Sequence, residues 1–274
     1  MNATGQPYRV AVAGLGAIGQ TVARALDSGK VPGCRLAAVS GRDPEKTQAF
    51  VDSLSAAVPM ASLEDLAGHA DVIVECLPPA LLKAVAEPAL RAGKTVVVLS
   101  VGALLRYPEL IDLAAEITGA RILAPSGAAL GLDAVAAAAE GRIESARMVT
   151  RKPPAGFKGA PRVVEENIDL DGLTEPLMLF EGTAREAARD FPSNLNVAVA
   201  FSLAGIGPDR TRLEVWADPG ITRNTHALEV VSDSAVLRMT IENIPSENPK
   251  SSRITALSVI ALLRKLAAPV KIGT

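Results

Sequence analysis

Three glycines near the start of the chain stand at a spacing that can hold phosphate. Gly14, Gly16 and Gly19 form a Gly-x-Gly-x-x-Gly turn after the apolar run Tyr8–Ala13 and before an amphipathic run ending at Leu26. In a strand–turn–helix setting the first glycine makes the tight turn and the second lets the backbone approach a pyrophosphate. The third lets the helix pack closely on the strand. N–H groups at the helix start then face the phosphates, and the helix dipole adds to the attraction. The spacing therefore predicts a dinucleotide site built on Gly14, Gly16, Ala17, Ile18 and Gly19.

A second strand is expected over residues 35–40, ending in Ser40-Gly-Arg42-Asp43-Pro44. Sites strict for NAD place a carboxylate at this strand end, where it accepts from the ribose 2′-OH. Here a hydroxyl and a guanidinium occupy the position, and they suit a 2′-phosphate better. Ser40 and Arg42 are thus assigned to the adenosine ribose, and NADP is expected alongside NAD. Asp43 either complicates this or, as Asp-Pro, caps the helix that follows.

Proton chemistry needs a different group, and the chain has two histidines. His69 falls in a helix-end loop remote from the strand carboxyl ends, which reads as a solvated or capping residue. His226 closes a polar segment, Asp218 to His226, in the second half of the chain. A neutral imidazole can give or take a proton near pH 7. A lone sheet histidine also serves purely structural ends, so the residues by themselves leave both readings open. No His/Cys/Asp cluster has metal-ligand spacing, so no metal is expected. Nor is there a Gly-x-Ser-x-Gly elbow or a Cys with a local His to support nucleophilic hydrolysis.

The elements that must position these groups alternate regularly at first. Strands are expected over 71–77, 95–102 and 120–125, with helices over 80–92 and 107–118 and a short third unit over 58–66. Such alternation means an α/β fold with a doubly wound parallel (Rossmann) sheet. Ligands sit at the carboxyl ends of its strands, which groups Leu77 and Pro78, the 100–102 turn, and Ser126, Gly127 and Ala128 with the glycine turn. Beyond residue 126 the pattern changes. Helices over 131–141, 181–190 and 194–204 mix with strands over 145–152, 212–217, 225–231 and 236–242, the last three joined by turns. This predicts a C-terminal α+β domain with a mostly antiparallel sheet. The division is a dinucleotide-binding domain over 1–125, completed by a C-terminal helix within 251–274, and an α+β catalytic and dimerisation domain over 126–250.

Composition narrows the remaining classes. Of 274 residues 49% are hydrophobic but only 3% aromatic, so the interior is expected to be aliphatic. The formal charge of −2 is interspersed, which argues against nucleic acid or an anionic membrane as partner. The most apolar windows, 80–90 and 254–268, are too short or too charged to span a bilayer. Cys34 and Cys76 are too few for a disulfide framework, and residues 1–7 lack the features of a secretory signal. A cytoplasmic location is expected.

Seven stretches together resemble the L-aspartate dehydrogenase family over nearly the whole chain. They are Gly14-Leu-Gly-Ala-Ile-Gly19, Glu75-Cys-Leu-Pro-Pro79, Val97-Val-Leu-Ser-Val-Gly-Ala-Leu104 and Pro125-Ser-Gly-Ala-Ala-Leu-Gly-Leu-Asp133. With them stand Thr150-Arg-Lys-Pro-Pro154, Phe191-Pro-Ser-Asn-Leu-Asn-Val-Ala198 and Ala217-Asp-Pro-Gly-Ile-Thr-Arg-Asn-Thr-His226. The resemblance implies an NAD(P)-dependent enzyme oxidising L-aspartate to iminoaspartate, which yields oxaloacetate and ammonia or feeds NAD biosynthesis; the reverse is reductive amination. By position it places the catalytic histidine at His226 and nicotinamide-side contacts at Ala128 and Asn196. Lys152, Arg151, Arg223 and Asn224, with backbone N–H groups of Ser126 and Gly127, become candidates for the substrate. A homodimer is also implied. The two-domain plan also suits a dihydrodipicolinate-reductase-like or homoserine-dehydrogenase-like enzyme, or a nucleotide-sensing protein without turnover.

Overall fold

The computed structural model describes residues 5–192, 195–246 and 252–273. The chain divides into two compact units, residues 1–125 with 256–272, and residues 126–255 with 273–274. No helix among the described residues is long and apolar enough to cross a membrane.

The first unit runs β1 (Tyr8–Ala13), α1 (Ala17–Asp27), β2 (Cys34–Ser40), α2 (Pro44–Asp52), α3 (Leu66–His69), β3 (Val72–Glu75), α4 (Leu82–Arg91), β4 (Thr95–Val98), α5 (Glu109–Glu116) and β5 (Arg121–Leu123). Its five strands are parallel in the order β2-β1-β3-β4-β5. The expected third unit shrinks to a single parallel bridge, Val39 to Met60, held by Val39 N–H to Pro59 O and Ala61 N–H to Val39 O. That bridge stands where the Rossmann order has its outermost strand, so the dinucleotide switch point falls between β1 and β3. The strand expected over 95–102 stops at Val98, and a 3₁₀ turn, Val101–Leu105, takes over. Burial of all four residues of β3, and of three of the four in β4, reflects helices on both faces. The core is aliphatic, with Phe50 as its aromatic member, and Val259 and Leu263 of the C-terminal helix α10 (Arg253–Ala267) are fully buried within it.

The second unit contains α6 (Leu132–Ala139), β6 (Ile143–Lys152), α7 (Pro161–Glu165), β7 (Leu177–Thr183), α8 (Ala184–Asp190), α9 (Asn196–Ala204), β8 (Arg212–Ala217), β9 (Asn224–Ser232) and β10 (Val236–Asn243). Its mixed sheet has the order β10-β9-β6-β8-β7, antiparallel except for β6 against β8. Two expectations need correction. Residues 181–183 are strand, not helix, because Thr183 ends β7 and caps α8 in a capping box with Glu186. The turn after β8 does not pair it with β9, because β6 lies between them. The aliphatic interior also holds only for the first unit: Phe157, Phe180 and Phe191 meet edge to face here, with centroids 5.9 and 6.2 Å apart. Asn194 and Ser251, expected to open helices, lie outside the described residues.

Candidate active site

The carboxyl edge of the parallel sheet is shaped by three glycines, each for its own reason. Gly14 has φ +96° and donates its N–H to Ser40 O at 2.8 Å. A Cβ on it would meet Cys76 O at 2.5 Å, and one on Gly19 would meet Gly14 O at 1.9 Å. A Cβ on Gly16 would meet nothing, so that side of the turn is open. Gly16 is also the N-cap of α1, where no side chain caps the helix and no acidic residue stands in the first turn. The N–H groups of Ala17 and Ile18, next to Gly16 at the start of the helix, thus lie on the open side of the turn, which suits a phosphate. At the end of β2, Ser40 is buried while Arg42 is exposed, with no partner among the described residues. Asp43 caps α2 by accepting from Lys46 N–H at 3.1 Å, and that bond holds its carboxyl below the usual range. The residues present therefore fit a dinucleotide, and Asp43, the acid beside Arg42, serves as a helix cap.

Leu77 and Pro78 follow β3, and their turn depends on a residue that sequence reasoning gave no role. Glu75 is fully buried, and its Oε1 accepts from Leu77 N–H at 2.7 Å. Its Oε2 accepts from Leu99 N–H, Ser100 N–H and Ser100 Oγ at 3.0, 2.9 and 2.8 Å. Burial raises the carboxyl above its usual range, against the pull of these bonds. The available signal was an acid closing an otherwise apolar strand.

In the second unit one face of the mixed sheet changes character along its length. Alternate residues of β6 are buried, running Ala146, Met148, Thr150, Lys152, and those of β9 run Val230, Leu228, His226, Asn224. Period-two alternation puts each series on one face. At one end the face is apolar core; at the other it is polar but equally dry. Thr150 pairs with His226 across the strands, and Thr150 Oγ1 lies 3.2 Å from His226 Nδ1. Lys152 Nζ stands 5.8 Å from the Phe157 ring centroid. Asn224 donates Nδ2 to Ser252 Oγ at 3.3 Å, while its buried Oδ1 has no partner among the described residues. Opposite Asn224, Asn243 donates Nδ2 to Ala128 O at 3.0 Å, which ties the Ser126-Gly127-Ala128 turn to this end of the sheet. Asn196 is the first residue of α9.

The structure thus brings Lys152, Asn224 and His226 onto one face, with Ala128 tied to the neighbouring strand. Arg223 is left out: its exposed guanidinium pairs with Glu242 at 3.3 Å. Arg151 points to the opposite face, stacking over Trp216 at 4.6 Å and pairing with Asp218. Thr150 and Asn243 went unassigned, although Thr150 stands two residues before Lys152 and so had to share its face.

Desolvation dominates the electrostatics. Burial, with the Lys152 charge adding to it, pushes His226 down to about 3, so the imidazole is neutral over the ordinary pH range. Burial alone pushes Lys152 down to about 8. An unfolded chain protonates histidine near 6.5, whereas this folded one does so only near 3. The stability His226 contributes is therefore full above pH 6.5 and is lost as pH falls from there towards 3. In an NMR titration, with His69→Gln used to assign signals, the His226 ring resonances should stay at neutral-imidazole positions from about pH 8 to about pH 5. A midpoint between about pH 6 and about pH 7 would contradict the buried placement.

Known proteins match this arrangement across the chain. A profile described as "Aspartate dehydrogenase, C-terminal" matches residues 133–266, and one described as "Homoserine dehydrogenase, NAD binding domain" matches residues 14–125. L-aspartate dehydrogenase 3 of Bordetella bronchiseptica is 66% identical over 265 residues, covering 97% of each chain. L-aspartate dehydrogenase of Bradyrhizobium diazoefficiens is 58% identical, covering 97% of this chain and 94% of its own. The crystal structure of aspartate dehydrogenase from Thermotoga maritima shares the fold, with a TM-score of 0.70 at 22% identity over 97% of this chain and 99% of that one. A glycine turn fitted to a dinucleotide and a dry histidine face thus lie in a chain that belongs to the L-aspartate dehydrogenase family.

Proposed function

We propose that this chain oxidises L-aspartate to iminoaspartate with NAD or NADP, the imine then hydrolysing to oxaloacetate and ammonia, with reductive amination as the reverse. The observation that carries this reading is a buried neutral imidazole sharing one sheet face with a buried lysine, in a chain two-thirds identical to an L-aspartate dehydrogenase. When bound, the nicotinamide ring supplies the acceptor for hydride leaving the substrate Cα.

The protein's own groups do the rest. Gly14, Gly16 and Gly19, with the N–H groups of Ala17 and Ile18, hold the pyrophosphate, and Leu77 and Pro78 flank it. Ser40 and Arg42 face the adenosine ribose, where a hydroxyl and a guanidinium suit a 2′-phosphate while Asp43 is held as the cap of α2, and NADP is accepted alongside NAD. Ala128 and Asn196 serve the nicotinamide side. Lys152 and the N–H groups of Ser126 and Gly127 hold the substrate carboxylates, and Asn224 offers its unpartnered Oδ1 to the amino group. We assign the imidazole proton to Nδ1, which then donates to Thr150 Oγ1, 3.2 Å away, and leaves Nε2 to take the proton released by the amine. A bound dianion raises the imidazole from its low value, since nearby negative charge favours the protonated form. His226 therefore becomes a competent base only when substrate is present.

Arg151 and Trp216 belong to the other face of the mixed sheet, with Val149 and Ala227, and none of these four is fully buried. We assign that face to a homodimer contact. Both cysteines, Cys34 and Cys76, are free, which suits a reducing cytoplasm.

Absorbance at 340 nm checks the activity: L-aspartate should drive reduction of NAD and of NADP, and His226→Ala should lower turnover about 10²–10⁴-fold with cofactor affinity unchanged. No reduction of either cofactor by L-aspartate overturns the reading, and near-full turnover in His226→Ala removes the histidine from it. Light scattering should give about twice the 28.3 kDa chain mass, while a monomer at micromolar concentration would refute the dimer.

A further inference from the structure

We propose that Glu75 is a positioning residue for the cofactor, its carboxylate holding the turns after β3 and β4 in the shape that walls the glycine turn. This rests on the reading of that turn as the NAD(P) site. Glu75 is the last residue of β3 and fully buried, and both its oxygens are engaged. Three of its four donors are backbone N–H groups, one on the turn after β3 and two on the turn after β4. The fourth is the Ser100 hydroxyl. No cation pairs with the carboxylate among the described residues. A carboxylate is the one side chain that offers two acceptor oxygens and no donor, so no neutral residue satisfies both turns at once.

The turn it holds is part of the glycine turn's own surroundings. Cys76 donates its N–H to Ala13 O at 2.8 Å, directly before Gly14. Cys76 O occupies the space where a Gly14 Cβ would go, and Leu77 Cδ2 lies just beyond, 3.1 Å from that Cβ position. Any shift of Cys76 and Leu77 therefore moves the wall against which Gly14 turns. Glu75→Gln keeps the shape of the side chain but swaps one oxygen for an NH₂, which then faces N–H donors on one of the two turns. Releasing that turn costs hydrogen bonds to a charged acceptor, and the loss should appear in cofactor affinity.

The test is the Kd of NADH and NADPH, read by fluorescence titration of purified full-length protein well below its melting temperature. Glu75→Gln should raise both values about tenfold or more. Ser100→Ala removes only the hydroxyl donor and should leave them within about twofold. A Glu75→Gln protein that melts lower yet binds NADH and NADPH as the wild type does would make the residue merely structural and overturn the proposal. If Glu75→Gln does not fold, hydrogen exchange of the wild type decides. Saturating NADH should slow exchange at the Leu77, Leu99 and Ser100 amides, and unchanged exchange there overturns the proposal. A wild type that binds NADH but does not oxidise L-aspartate would break the proposed activity and leave this inference standing.

Discussion

His226 and Thr150 meet at the dry end of a sheet face, and removal of water from that end governs what the second unit can do. The same alternation that buries Met148 and Leu228 in the core carries Thr150, Lys152, Asn224 and His226 into equal burial one pleat further on. A charged imidazole or ammonium is disfavoured there, so both groups titrate lower than in water. The first unit uses burial differently. Glu75 is enclosed at a strand end, but backbone N–H groups take the place of water around its carboxylate. In both units an ionisable side chain sits where an apolar one would be cheaper for folding, at the end of a strand rather than in its middle.

This placement opposes stability. The folded state holds Lys152 near 8 against an ordinary 10.5 and His226 near 3 against 6.5, so the fold loses stability as pH falls from 10.5 towards 8 and again from 6.5 towards 3. Sites that bind charged ligands accept such a cost because the charge of the bound ligand offsets it. The aromatic cluster of Phe157, Phe180 and Phe191 lies in the same unit, and its edge-to-face packing is one offset to that loss.

How much of this was legible in the sequence follows from how local each signal is. The glycine turn needs six residues in a row, and its spacing carried through to distinct steric reasons for each glycine. The single-bridge remnant at Met60 was visible as a short third unit, but only the pairing to Val39 shows where it belongs. Pairings distant in sequence were not readable: β6 lies between β8 and β9 although only a short turn joins those two. The strand β7 was missed because Thr183 serves twice, as strand end and helix cap, and the charged run after it reads as helix. His226 could be named from a motif, but its dryness and its hydrogen bond to Thr150 depend on β6 and β9 pairing in one register. Arg223 failed to join the face because it stands in the turn just before β9, where its guanidinium pairs with Glu242, whereas Asn224 opens the strand on the buried side.

The central claim is that a buried lysine and imidazole, held below their ordinary proton affinities, await a dicarboxylate whose negative charge restores them. Calorimetry of succinate binding to the NADH-saturated enzyme tests it, repeated in buffers of different ionisation enthalpy at about pH 8.5, just above the Lys152 value of about 8. The account predicts uptake of about half a proton or more per succinate bound. Binding with no proton exchange, or with proton release, would contradict it.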